Sequence, residues 1–125
     1  MYSLRPEAGA GPGGGVQARL RLALAESLRA RDTIAVSALR SALGAIGNAE
    51  AERRRLSAAE IEQIVRGEAG EREGAARDYE QAGHADRAGR LRREAQVLLA
   101  VLADEDRPAG DRRDGAAGDG RSRMG

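Results

Sequence analysis

An all-α fold, a small bundle of about four helices with disordered ends, is predicted by three observations. Apolar residues recur at steps of three and four through the middle of the chain, the period of one face of a helix. Phe, Trp and Cys are absent and only two Tyr occur in 125 residues. The core must therefore be Leu, Ile, Val and Ala, which suits packed helices better than a β-sandwich. Glycine and proline crowd the two ends, where apolar periodicity is lost.

The expected organisation is a Gly-rich leader over 1–15, a helical domain over 16–103 and a tail over 104–125, with both ends disordered. The leader has Gly9, Gly11, Pro12, Gly13, Gly14 and Gly15, with no apolar strand before them and no Lys after. That pattern reads as a linker, not a phosphate loop. Helix one, over 16–30, has the stripe Val16, Leu20, Leu24 and Leu28, with Ala23 and Ser27 beside it. Asp32 suits an N-cap, and helix two follows over 33–54 with Ala35, Leu39, Ala42, Leu43, Ile46 and Ala49 inward. Gly44 and Gly47 in this helix either permit a tight crossing or mark a weak point. Ser57 with Glu60 three residues on is a capping box, and Leu56 with Ile61 is a hydrophobic staple. These start helix three, over 58–81, whose expected buried face is Ile61, Ile64, Val65, Ala69, Ala76 and Tyr79. Gly83 ends it in the left-handed conformation. Helix four, over 85–103, has the seam Ala88, Leu91, Ala95, Leu98 and Leu102, widened by Leu99 and Val101. A domain this size with a thin aliphatic core leaves a homodimer or a partner surface open.

Several chemistries are excluded by composition. Without Cys there is no disulfide, thiolate metal site or Cys nucleophile. The single His excludes a His-rich metal site. All 21 basic residues are Arg, so a Lys-ended phosphate loop and a Lys Schiff base are impossible. The formal net charge is +1, which sets up no strong field toward nucleic acid or membrane. There is no apolar run long enough to span a membrane and no secretory h-region, so the expected location is the cytoplasm, with no membrane partner.

The side chains that could carry function are few. Arg53, Arg54 and Arg55 form the densest basic run, and Arg40, Arg31 and Arg29 could join them on nucleic-acid phosphates. No aromatic residue interleaves them, and at the end of helix two they also complement the helix dipole. Glu60, Glu62, Glu68, Glu71 and Glu73 read as a solvated face. Asp78, Glu80 and Asp86 surround His84 on loose spacing that fits a helix boundary better than a metal site, and Asp86, like Asp32, reads as a cap. Ser37, Ser41 and Ser57 have no base in any motif. Tyr79 is expected to pack helix three on helix four with its hydroxyl at the rim. No metal, cofactor or catalytic residue is expected.

The segments Leu28-Arg29-Ala30-Arg31-Asp32, Ser37-Ala38-Leu39-Arg40 and Ala45-Ile46-Gly47-Asn48-Ala49-Glu50 resemble the start of the YqeY family, grouped with the GatB/YqeY domain proteins. The resemblance continues through Leu56-Ser57 and Glu60-Ile61. It is sharpest at Tyr79-Glu80-Gln81-Ala82-Gly83-His84-Ala85-Asp86 and runs on through Glu94-Ala95 and Leu98-Leu99 to Leu102. The motif residues are Arg31, Asp32, Leu39, Arg40, Ile46, Asn48, Glu50, Tyr79, Gly83 and Asp86. The family usually has a Lys where Gly47 stands. It also follows this region with a second helical domain shared with the B subunit of the tRNA-dependent amidotransferase. The chain thus looks like the N-terminal helical domain alone. The resemblance implies an accessory or binding module linked to that amidotransferase and to tRNA metabolism. Its implied partners are tRNA or an amidotransferase or translation protein. Two alternatives stand beside it: a glutamine-dependent carbon–nitrogen ligase, and a structural domain for protein interaction or dimerisation. The ligase is disfavoured by the missing nucleophile and nucleotide loop.

Overall fold

A computed structural model describes residues 14–53 and 55–105, and the four apolar stripes become four helices. They are α1 (Gly14–Ala30), α2 (Thr33–Arg53), α3 (Ala58–Gln81) and α4 (Ala85–Glu105). Each helix packs on the other three, and α3 pairs most extensively with α4. The expected disorder at the ends otherwise lies outside the described residues, but both boundaries shift outward by two residues. Gly14 and Gly15 open α1, and Asp104 and Glu105 close α4. A first helical turn has amides without intrahelical partners in any case, so glycine there loses less than at mid-helix.

The core is aliphatic, as composition requires. Leu20, Leu39, Ile46, Ile61, Val65 and Leu98 are its largest fully enclosed side chains after Val16 is set aside at the edge of α1. One of the expected inward positions is not inward. Leu28 is 48% exposed, although it ends the Val16–Leu20–Leu24 stripe. Steps of four overshoot the helical repeat of about 3.6 residues, so three steps from Val16 rotate the stripe by about 120°. Val16 and Leu20 are buried, Leu24 is half-buried and Leu28 has left the core. Leu91 in α4 is only half-buried.

In α2, Ala35, Ala38, Leu39, Ala42 and Ile46 are buried. A Cβ added at Gly44 or Gly47 would meet nothing within 4 Å, so neither glycine permits a crossing. The close approach is made by the alanines of the buried stripe.

The three joints are locally determined. Asp32 Oδ1 accepts from the Ala35 amide at 3.1 Å, the expected N-cap of α2. The preceding turn holds a residue the sequence did not mark. Arg31 has φ 59°, and the Arg31 and Asp32 amides donate back to Leu28 and Ser27 at 3.2 and 2.9 Å. That is a Schellman closure with arginine where glycine is usual. At α3 the capping box is complete: Glu60 N donates to Ser57 Oγ at 3.0 Å and Ser57 N donates to Glu60 Oε1 at 2.8 Å. Leu56 and Ile61, the staple, are both buried. Gly83 has φ 88°, and the His84 and Gly83 amides donate to Tyr79 and Glu80 at 2.8 and 3.0 Å. This closes α3 and turns the chain into α4.

The α3–α4 hairpin continues past the four-helix core. Ala76 and Ala88 are fully buried, yet they stand outside the core cluster that gathers the large aliphatic residues. Small buried side chains on both helices let them lie close near the turn.

Candidate functional site

A buried polar chain crosses three helices. Arg72 Nε donates to Glu94 Oε1 at 2.7 Å, and Arg72 Nη1 donates to Glu68 Oε1 at 3.0 Å and to the Glu68 carbonyl at 3.1 Å. Ser41 Oγ in α2 donates to the same Glu68 oxygen at 2.7 Å. Glu94 is only 8% exposed, and the Arg72 and Glu68 side chains are 13% and 17% exposed. Burial alone would lower the Arg72 pKa. The hydrogen bonds and charges of Glu94 and Glu68 outweigh it and raise the pKa. A guanidinium held this way stays charged and is not an acid–base catalyst.

Glu68 therefore does not belong to the solvated face expected for the α3 carboxylates. The signal was in the sequence. The buried residues of α3 step Ile61, Val65, Ala69 and Ala76, and Arg72 falls in register between the last two. An arginine on a core stripe needs a carboxylate, and Glu68 precedes it by one turn. Glu62 is half-buried and pairs with Arg66 at 2.8 Å, and Glu71 and Glu73 are exposed as expected.

Glu60 does a different job. The Ser57 amide, aided by the neighbouring Arg53, holds its carboxyl below the ordinary value of 4.5, against the opposing cost of desolvation. Arg53 Nη2 donates to Glu60 Oε2, tying the end of α2 to the start of α3. The six candidate phosphate contacts are thus in unlike settings. Arg53 is bonded to the capping box, and Arg54 lies outside the described residues. Arg55, Arg40, Arg31 and Arg29 are exposed, with no side-chain ion pair among the described residues. Arg31 and Arg53 sit at opposite ends of α2, about 30 Å apart along its axis. The structure does not gather them into one cluster.

At the hairpin turn, the Arg87 guanidinium lies 5.0 Å from the Tyr79 ring centre and its Nη1 donates to the Tyr79 hydroxyl at 3.4 Å. The His84 ring meets the Tyr79 edge with centroids 6.0 Å apart. Tyr79 is half-buried with its hydroxyl at the rim, as expected. Glu80 is taken by Arg92 at 2.6 Å. Asp86, expected as a cap, is the second residue of α4. It lies in the first turn, where its charge suits the helix dipole, and the residue before the helix is His84. Among the described residues, no three His, Asp or Glu side chains converge as metal ligands.

An open groove of about 680 Å³ lies between α1 and α4, floored by Ala35 and Leu39 of α2. Its walls are mostly apolar, with Arg19 and Glu26 on the α1 side.

A family model described as Yqey-like protein matches residues 17–105, from the first turns of α1 to the end of α4. The chain belongs to the YqeY family. Comparisons with curated proteins and with solved structures gave no match. In this YqeY-family domain the motif residues divide by task. Leu39 and Ile46 are core. Arg31, Asp32 and Gly83 shape the turns, and Tyr79 packs the hairpin. Arg40 and Asn48 are exposed on α2, and Glu50 is half-buried. Most of the motif is thus accounted for by folding. No helix among the described residues is long and apolar enough to cross a membrane.

Proposed function

We propose that this YqeY-family domain is a non-catalytic binding module that contacts tRNA phosphates and serves tRNA-dependent amidotransferase machinery. The machinery is suggested by the resemblance of the family to the amidotransferase B subunit. The observation that carries the binding role is the sorting of arginines. Arg72, Arg53 and Arg92 are held by Glu68, Glu94, Glu60 and Glu80, so the best-placed carboxylates are occupied in holding the fold. Arg31, Arg40 and Arg55 project into solvent instead. Without an aromatic platform for bases, their chemistry is that of phosphate contact.

The test is filter binding of bulk tRNA across a salt series, with circular dichroism as the folding control. Combining Arg31→Ala, Arg40→Ala and Arg55→Ala removes three cations that support no core contact. Each phosphate contact contributes about 0.7–0.9 to the slope of log affinity against log salt, so the slope flattens by about two units. An unchanged slope, or no tRNA retained by the unaltered protein at low salt, overturns the proposal.

A further inference from the structure

We propose that Ser57 is a site of phosphoryl transfer, a substrate for a serine/threonine kinase with an acidic groove for arginine. The sequence ahead of it is Arg53-Arg54-Arg55-Leu56. Of the seven Ser and Thr residues in the chain, only Ser57 has arginine at both two and three residues before it. Kinases choose substrates by such charge patterns, because an acidic groove attracts arginines at a fixed distance from the hydroxyl. The structure adds the presentation. Arg55, Leu56 and Ser57 belong to no helix, and Ser57 has φ −77° and ψ 165°, an extended backbone. Successive side chains of an extended segment point to opposite sides. Arg55 and Ser57 are exposed, and Leu56 between them is 3% exposed. The joint between α2 and α3 therefore offers an arginine and the acceptor hydroxyl on one side, while Leu56 anchors the other side in the bundle.

The transfer needs one co-reactant, a nucleoside triphosphate. Ser57 Oγ attacks the γ-phosphorus and forms the new P–O bond. The bond from that phosphorus to the bridging oxygen breaks, and the nucleoside diphosphate leaves. The hydroxyl proton passes to the general base of the kinase. The product reorganises the capping box. In the unmodified chain Ser57 Oγ lies 3.0 Å from the Glu60 amide, and Glu60 Oε1 lies 2.8 Å from the Ser57 amide. A phosphoryl group adds about 1.5–2 negative charges beside that carboxylate and repels it. The phosphate keeps the Glu60 amide as a donor and takes the Arg53 guanidinium, which otherwise bonds Glu60. Arg55 stands two residues away, with no side-chain ion pair among the described residues. Phosphorylation thus exchanges one anion for another at the joint and releases the Glu60 carboxylate to solvent.

The test incubates the full chain with ATP and a serine/threonine kinase selective for arginine two and three residues before its target. Intact mass and fragment ions read the number of phosphoryl groups and their position. One group at Ser57 is expected. Ser57→Asn, which keeps an N-cap without a hydroxyl, takes up none, and Ser57→Thr restores the uptake. Arg54→Gln with Arg55→Gln lowers kcat/KM by roughly tenfold or more. Circular dichroism of each variant is the folding control. The full chain is modified within about tenfold of the rate of a peptide spanning residues 51–61, because the joint is already extended. A full chain that stays unmodified overturns the proposal. So does a phosphoryl group at another position instead, a rate that ignores the two arginines, or a full chain more than about tenfold slower than the peptide.

Discussion

Replacing Arg72 by Met removes the one cation on the buried polar chain while keeping most of the side-chain volume. Glu94 and Glu68 then lose their donors at 2.7 and 3.0 Å and remain behind as carboxylates at 8% and 17% exposure. Removing one partner of a buried pair costs about 3–5 kcal/mol, far more than the pair contributes over an apolar replacement. Water still reaches the edge of this site and Ser41 still donates to Glu68, so the lower end applies, about 3 kcal/mol. A domain spanning 14–105 has roughly 5–14 kcal/mol of total stability. The change therefore removes a quarter to a half or more of it and lowers the melting temperature by roughly 10–25 °C. Thermal unfolding by circular dichroism measures the drop, and guanidinium titration gives the free energy directly. The double variant Arg72→Met with Glu94→Gln should recover about half of the loss, because the more buried carboxylate is then neutral. A loss below about 1 kcal/mol for the single variant would mean that the chain behaves as an exposed ion pair and that its burial does not matter.

Two further outcomes follow from local geometry. Gly44→Ala and Gly47→Ala should each raise stability by about 0.5–1 kcal/mol, since a methyl group there meets open space and alanine favours the helix. Gly83→Ala, at φ 88°, should instead cost about 1–2 kcal/mol in the same denaturant titration. The Glu60 carboxyl is depressed on folding, so its contribution is present above the ordinary value of 4.5 and is lost as pH falls through its lower folded value. A melting-temperature series from about pH 6 to about pH 3 should show a smaller acid decline for Glu60→Gln, which keeps the capping geometry without the charge. Parallel declines would remove Glu60 from the acid response.

The sequence disclosed the helices because its strongest signals are local. Ser57-to-Glu60 and Gly83 act within one turn of themselves, and the structure puts their bonds where the spacing predicts. Asp32 is legible for the same reason. What periodicity missed depends on other helices. The register of α3 puts Arg72 on the buried stripe with Glu68 one turn before it, but a single-helix reading cannot supply Ser41 and Glu94, which come from α2 and α4. Arg31 in the left-handed region carries no local signal, since arginine does not favour that conformation. Leu28 fails for a third reason: a four-residue step resembles a helix face over two turns and departs from it by the third. The candidate arginines were legible as a basic run, but not the engagement of Arg53 by the α3 cap, which needs the loop path between α2 and α3.

The two buried alanines near the hairpin turn, outside the aliphatic core, divide the molecule into parts of unequal resistance to opening. Beyond the aliphatic core, α3 and α4 are held by Ala76, Ala88, the Arg87–Tyr79 stack and the Glu80–Arg92 pair. Little apolar area is sealed there, and the ion pair is exposed, so separating the two helix ends exposes far less than opening the core. Amide hydrogen exchange should therefore grade along both helices, fastest at Gly83 and slowest where Val65 and Leu98 lie in the core. The Arg72 chain marks where that gradient steepens, because it is the last polar link before the large aliphatic residues begin. The outer end of the hairpin can open and reclose many times for each global unfolding, without disturbing the body of the bundle.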